Sequence, residues 1–154
     1  SRAFISTNLD MLATFAAITA QRLGAGEGPD SFNMLAALTG TPAKPIREHL
    51  VIAPNAPKNV AIRSGPWLYI SAQGDGGFGG IRGGPGSVGF SQRSNSDITV
   101  DGKIRPDAPP TQLYNLDTDP QQMQNVVREH SVVAIRLAAL LADHRARART
   151  APSP

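Results

Sequence analysis

Apolar residues recur every three or four positions at both ends of the chain, a spacing typical of helices that bury one face. Near the N-terminus this pattern predicts a well-buried helix over residues 8–20, with Thr7 or Asn8 as its cap. The apolar positions of this helix are Leu9, Leu12, Phe15, Ala16 and Ile18. A second stripe, with Ser131 as the cap, predicts a C-terminal helix and consists of Val133, Leu137, Leu140 and Leu141.

A second, shorter helix is predicted over residues 32–38, after glycines and a proline end the first one. Asp30 or Ser31 stands where a cap would, and Gly40 ends the segment. The N-terminal part of the chain is therefore predicted to be a helix, a loop and a helix.

Four short stretches between these helices are predicted to be strands, and in the second of them Val60 and Ile62 alternate with Ala61 and Arg63. The first covers 48–52, and the next two, 60–63 and 67–70, flank Ser64-Gly65-Pro66 and predict a hairpin. The fourth lies at Leu113 and Tyr114. The predicted fold class is α+β: a small antiparallel sheet of about four strands packed on a C-terminal helix, preceded by two helices.

The segment 112–125 carries signals for a strand, a tight turn and a helix. Asp119 occupies an N-cap position, Pro120 follows at the first helical position, and Gln122 stands three residues after the cap as a capping-box partner. Asp117 and Asp119 form a pair of carboxylates, but helix capping explains their position better than acid–base catalysis.

Residues 71–110 are low in large apolar side chains and rich in glycine, which predicts a long surface loop. The sequence from Gly74 to Gly79 matches the dinucleotide pattern G-x-G-x-x-G. That pattern must open a helix whose N-terminus holds the pyrophosphate, whereas here more glycines and Pro85 follow. Nucleotide binding is therefore not predicted.

Composition excludes several classes of function. The chain has 154 residues, 40% of them hydrophobic, which suits one compact domain. A net charge of +3 is spread along the chain, so no nucleic-acid partner is predicted. The absence of cysteine excludes disulfides and cysteine catalysis, and no apolar run reaches the ~20 residues of a membrane span.

No catalytic residue and no metal ligand is predicted from the residue patterns. The three histidines, His49, His130 and His144, lack the spacing of a metal site. We expect His144 on the solvated face or end of the last helix and His130 in the turn before it. Trp67 is expected to pack the hairpin onto that helix.

Several motifs, in order, resemble signatures of type I sulfatases, the formylglycine-dependent arylsulfatase family. They are the helix at 7–16, the "DSxxxLPxLxG" continuation from residue 30, the "REHLV" strand at 47–51, the "AIRxGPWKYI" hairpin at 61–70 and the "LY(D/N)L-x-x-DP-x-E-x-x-N" segment ending at 125. Leu68 replaces the usual Lys, Ala36 the usual Pro and Gln122 the usual Glu.

The resemblance implies three regions. Residues 1–45 would be the helical end of an alkaline-phosphatase-like α/β catalytic domain, 46–150 the C-terminal subdomain with its loop at 71–110, and 151–154 a tail. It also places His49 near the rim of an active site, where it would bind substrate. A structural histidine is the alternative interpretation.

Full-length members of the resembled family use calcium and a formylglycine made from C/S-x-P/A-x-R. This sequence contains no such motif, so we expect no cofactor in this chain and no activity from it alone. Two functions follow: the C-terminal part of a bacterial-type sulfatase, or a non-catalytic structural or assembly protein derived from that subdomain. The expected partner is the remainder of a catalytic domain, or a second copy through the N-terminal helices. The resemblance implies a periplasmic or secreted protein.

Overall fold

The computed structural model describes residues 5–40, 42–53, 59–74, 95–147 and 150–151. A 3-10 turn at Asn8–Asp10 leads into helix α1, and the remaining elements follow as predicted in type. They are α1 (Met11–Ile18), α2 (Leu35–Thr39), β1 (His49–Ile52), β2 (Ala61–Ser64), β3 (Trp67–Ile70), β4 (Gln112–Asn115) and α3 (Ser131–Ala146). The predicted α+β class is confirmed. Within the described ranges, no helix is long and apolar enough to cross a membrane.

The four strands form one sheet in the order β1-β2-β3-β4. The predicted hairpin is confirmed, since β2 pairs antiparallel with β3 and Ser64 lies opposite Trp67. Gly65 begins the connecting turn at φ 56°, a left-handed conformation that glycine adopts without a steric penalty. Strand β4 then pairs antiparallel with β3 on its other side, with Asn115 opposite Trp67.

Register places one row of apolar side chains across the sheet, because Ile62 lies opposite Tyr69 and Tyr69 opposite Leu113. This row packs against α3, where Leu137 and Leu141 are almost fully buried, as the predicted stripe requires. Side chains alternate between the two faces of a strand, so the intervening residues form a second buried cluster. Its members are Ala61, Leu68, Ile70 and Tyr114.

The chain divides into two compact units, one made of Ser1–Leu50 with Ala142–Pro154 and the other of Val51–Leu141. The sheet cluster against α3 belongs to the second unit. The division predicted from the sequence at residues 45 and 46 stays a prediction.

The prediction that the first helix is well buried was wrong. Thr14 is the buried residue of α1, while Leu9 in the preceding turn is 54% exposed and Phe15 is 58% exposed. Leu12 and Ile18 are exposed to a similar extent. The side of the helix that carries Thr14 is buried. The Thr14 hydroxyl donates a hydrogen bond to the Asp10 carbonyl and accepts one from the amide of Met34.

The predicted caps of α2 were also wrong. Ser31 Oγ accepts a hydrogen bond from the amide of Ala13, and Asp30 Oδ1 accepts from the amide and the hydroxyl of Thr150. Asn33 Oδ1 instead accepts from the amide of Leu35, the first residue of α2. Both predicted caps are occupied by contacts that are distant in sequence.

No helix begins at Asp119: of residues 120–125, all of which are described, 120 and 121 form a turn, 124 lies in a bend, and the others have no regular structure. Gln122 has φ 59°, a left-handed conformation that ends any helix. The Asp119 carboxylate still acts as a cap of the turn, accepting bonds from the amides of Met123 and Gln124 at 2.9 Å each. The prediction that Asp119 caps a helix was therefore wrong, although its carboxylate does bind backbone amides of the turn.

The predicted loop 71–110 is described only at its two ends. Residues 75–94, with most of the G-x-G-x-x-G pattern, lie outside the described residues. After them, the chain folds into turns with an isolated antiparallel bridge between Ile98 and Ile104. Ile98 and Asp97 are buried there.

Candidate functional site

A buried ion pair between Asp10 and Arg47 lies beside the start of β1. Arg47 is two residues before His49, and its side chain is 2% exposed against 0% for Asp10. The guanidinium donates to both carboxylate oxygens of Asp10 and, at 2.8 Å, to the carbonyl of Asp30. Sequence reasoning missed this pair, although an acidic residue within an apolar helical stripe was a usable signal.

Further contacts stabilise the charged forms of both Asp10 and Arg47. Burial opposes ionisation of Asp10, but bonds from Arg47 and from the amides of Phe32 and Thr7 together lower the pKa of this carboxyl. The Arg47 guanidinium also lies 4.2 Å from the centre of the Phe32 ring, in cation–π geometry. The arginine of the "REHLV" segment thus has a structural role.

His49 begins β1, and its ring lies 4.4 Å from that of His144, at an angle of 48°. His144 lies in the last turn of α3, at the predicted end of the helix, but it is buried rather than solvated, with 9% of the residue exposed. The signal was the spacing: Leu137, Leu141 and His144 continue one stripe at i, i+4 and i+7 along α3. His130 lies in the turn before α3, as predicted, with its ring 4.9 Å from that of Trp67.

Burial is the largest cause that lowers the pKa of His49, followed by the repulsion of a charged His144. Its Nε2 is buried without a hydrogen-bond partner among the described residues. These are properties of a structural histidine, and substrate binding by His49 stays a prediction.

Asn125, the last residue of the motif that begins with Leu113-Tyr114, is a hydrogen-bond hub: its side chain makes four hydrogen bonds near the start of β4. Its Oδ1 accepts from the amides of Leu113 and Val127 at 2.9 and 3.1 Å. Its Nδ2 donates to Asp97 Oδ2 at 2.6 Å and to the Thr111 carbonyl at 3.1 Å. The asparagine of this motif therefore joins β4 to residues 97, 111 and 127 through hydrogen bonds.

A second polar network involves Gln112 and Tyr114 of β4, both of which are buried. The Tyr114 hydroxyl donates to Gln112 Oε1 at 2.6 Å, and Asn95 Nδ2 donates to the Tyr114 oxygen at 3.1 Å and to the Gly74 carbonyl at 2.9 Å. Burial raises the pKa of the Tyr114 phenol, which therefore stays protonated as a donor. Asn95 and Gly74, which flank residues 75–94, are joined by this network.

One shallow groove of about 240 Å³ lies between β3 and α3. Its described lining has hydroxyl groups and apolar side chains but no carboxylate, imidazole or amine; the residues are Tyr69, Thr111, Val127, Ser131, Ala134, Ile135 and Ala138. Among the described residues, no group of three or more His, Cys, Asp or Glu side chains could hold a metal ion.

The fold and these networks define an α+β unit with a four-stranded antiparallel sheet and a C-terminal helix. No protein-family model and no curated protein matches the chain. Among solved structures, it is similar to a sulfatase of Bacteroides thetaiotaomicron, described in work on that organism's metabolism of multiple glycosaminoglycans. The two share 27% sequence identity with a TM-score of 0.58.

The match covers 90% of this chain but 24% of the length of that sulfatase. The resemblance that the motifs predict, to the C-terminal portion of a sulfatase, is thereby confirmed, and the chain is sulfatase-related. It spans about a quarter of the solved protein it matches.

Proposed function

We propose that this chain is the C-terminal part of a sulfatase, a sulfuric ester hydrolase, and that it completes a catalytic domain without supplying the nucleophile. The unequal coverage carries this proposal, since nearly all of this chain corresponds to about a quarter of a sulfatase. In this proposal the sheet and α3 form one wall of the substrate cleft.

The chain's own residues do not fit the family's catalytic groups. No C/S-x-P/A-x-R occurs in the 154 residues, so no residue here can be the precursor of formylglycine. The nucleophile and the calcium ligands of the proposed enzyme therefore belong to residues outside this sequence. Any sulfated glycan substrate is proposed only from the similarity to the Bacteroides protein.

The α1 surface, which we define as Leu9, Leu12, Phe15 and Ile18, supports a partner domain. Each of these residues is between 50% and 58% exposed. Covering apolar area stabilises a complex by about 25 cal/mol per Å², and adjacent exposed apolar side chains on one helix are typical of an interaction site. The proposed occupant is the remainder of the catalytic domain.

The alternative function is a non-catalytic structural or assembly protein that keeps the subdomain alone. One observation favours it: Leu68, which stands where the family motif has Lys, is 7% exposed within the second apolar cluster. A side chain that would carry charge in the family is used here for packing.

Intact mass and turnover distinguish the two functions. The natural polypeptide would be isolated with an antibody against this chain, weighed, and tested on an aryl sulfate and a sulfated glycosaminoglycan disaccharide, with and without a chelator. A mass well above 16.2 kDa with chelator-sensitive hydrolysis is expected. A mass of 16.2 kDa without turnover would overturn the proposal and favour an assembly role.

A further inference from the structure

The contact between His49 and His144 joins the first residue of β1 to the last turn of α3. The ring centres are 4.4 Å apart, so two imidazolium charges at this distance would repel. His49 Nε2 and both ring nitrogens of His144 are buried and have no hydrogen-bond partner among the described residues. A buried nitrogen without a partner tolerates the neutral ring far better than the cation.

The charged groups around the pair do not compensate for protonation. Glu48 favours a charged His49, whereas Arg47 opposes it, and both effects are smaller than those of burial and His144. The Arg47 charge is itself paired with Asp10. On α3, Asp143 is committed to Arg147 in an exposed pair at 2.7 Å.

We propose that the contact between His49 and His144 is an acid-sensitive clasp, closed while His49 is neutral and opened by its protonation. The clasp controls the attachment of the end of α3 to the start of β1. Beyond α3, Thr150 donates to Asp30 and to the Pro29 carbonyl, and Ala151 also donates to that carbonyl. These bonds still join the C-terminal residues to the N-terminal segment when the clasp is open.

The pKa of His49 determines whether acid strengthens or weakens the clasp. Its pKa is lowered in the folded chain, so the unfolded or opened form binds the proton more readily. The stability that the clasp contributes is therefore complete above the ordinary histidine pKa of 6.5 and decreases as the pH falls below that value. It stops decreasing below the lowered pKa of the folded form.

Hydrogen exchange of the 154-residue chain at pH 7.5 and 5.5, corrected for the intrinsic pH dependence, tests the clasp. Protection in peptides from 47–52 and 142–147 should fall by up to about tenfold per pH unit below 6.5, since one proton is taken up on opening. Protection of the β2–β3 hairpin should not change. A uniform loss, or no loss, would overturn the proposal.

Two variants sharpen the result. His49→Gln removes the imidazole whose pKa is lowered, so the acid-dependent loss should disappear, while His130→Gln, the matched control outside the pair, should retain it. If His49→Gln does not fold, His144→Gln should reduce the loss, because His144 is the second cause of the lowered pKa. Acid sensitivity that persists unchanged in either variant of the pair would show that other groups are responsible.

Discussion

Arg47 donates two hydrogen bonds, one from Nε and one from a terminal guanidinium nitrogen, to the carboxylate of Asp10, which lies 37 residues earlier in the chain. Both side chains are almost fully withdrawn from solvent. The contact ties the turn before α1 to the segment before β1. Because the amides of Thr7 and Phe32 and the carbonyl of Asp30 complete the network, the buried charges keep hydrogen-bond partners.

Asp10→Asn should strongly destabilise the chain. The substitution leaves the Arg47 guanidinium buried without a counterion, which costs about 3–5 kcal/mol of unfolding free energy. Urea denaturation followed by circular dichroism measures this. Asp101→Asn is the matched control, since Asp101 pairs with Lys103 on the surface and its loss should change the midpoint little. Equal effects of the two substitutions would contradict the structural role of the buried pair.

The lowered pKa of Asp10 predicts a loss of stability in strong acid. Its pKa is lowered in the folded chain, so its contribution is complete above the ordinary value of 3.8 and is lost as the pH falls below it. Urea midpoints between pH 5 and pH 2.5 should therefore decrease more steeply for the unmodified chain than for Asp10→Asn. Parallel curves would show that other carboxylates govern acid unfolding.

Asn125→Asp should destabilise the loop under β4. A carboxylate cannot donate the hydrogen bond that Asn125 Nδ2 makes to the Thr111 carbonyl. It also places a second negative charge at the 2.6 Å contact with Asp97. We expect a loss of about 2–4 kcal/mol, because two partly buried hydrogen bonds are lost and like charges meet. The exposed Gln121→Glu makes the same amide-to-acid change and should have little effect on the unfolding midpoint. An unchanged unfolding midpoint for Asn125→Asp would contradict the stabilising role of the Asn125 hydrogen bonds.

The α1 surface should make the isolated chain associate or bind a hydrophobic dye. Leu12→Glu with Phe15→Glu should abolish both effects without unfolding, since these side chains are already about half exposed. Light scattering and dye fluorescence provide the measurement. Val132→Glu with Ile135→Glu, on the exposed side of α3, is the control and should leave association unchanged. A monomeric unmodified chain that binds no dye would contradict the prediction.

Sequence patterns predicted the sheet and α3 well because their signals are local. The period of two in the strands, the glycine at Gly65 and the stripe through Leu137 and Leu141 each depend on residues that are neighbours in sequence. The helix after Asp119 was predicted from equally local signals, yet it does not form. There, the tertiary bonds of Asn125 and the left-handed Gln122 override the capping signal.

The sequence by itself determined the α+β class, the four strands, the terminal helix and the resemblance to a sulfatase subdomain. Only the tertiary structure decided the partners of buried polar groups: Asp10 with Arg47, Asn125 with Asp97, and His49 with His144. The physical reason is that periodicity reports which face of an element is buried. It carries no information about which distant polar group will meet a side chain there, because that depends on how the elements pack.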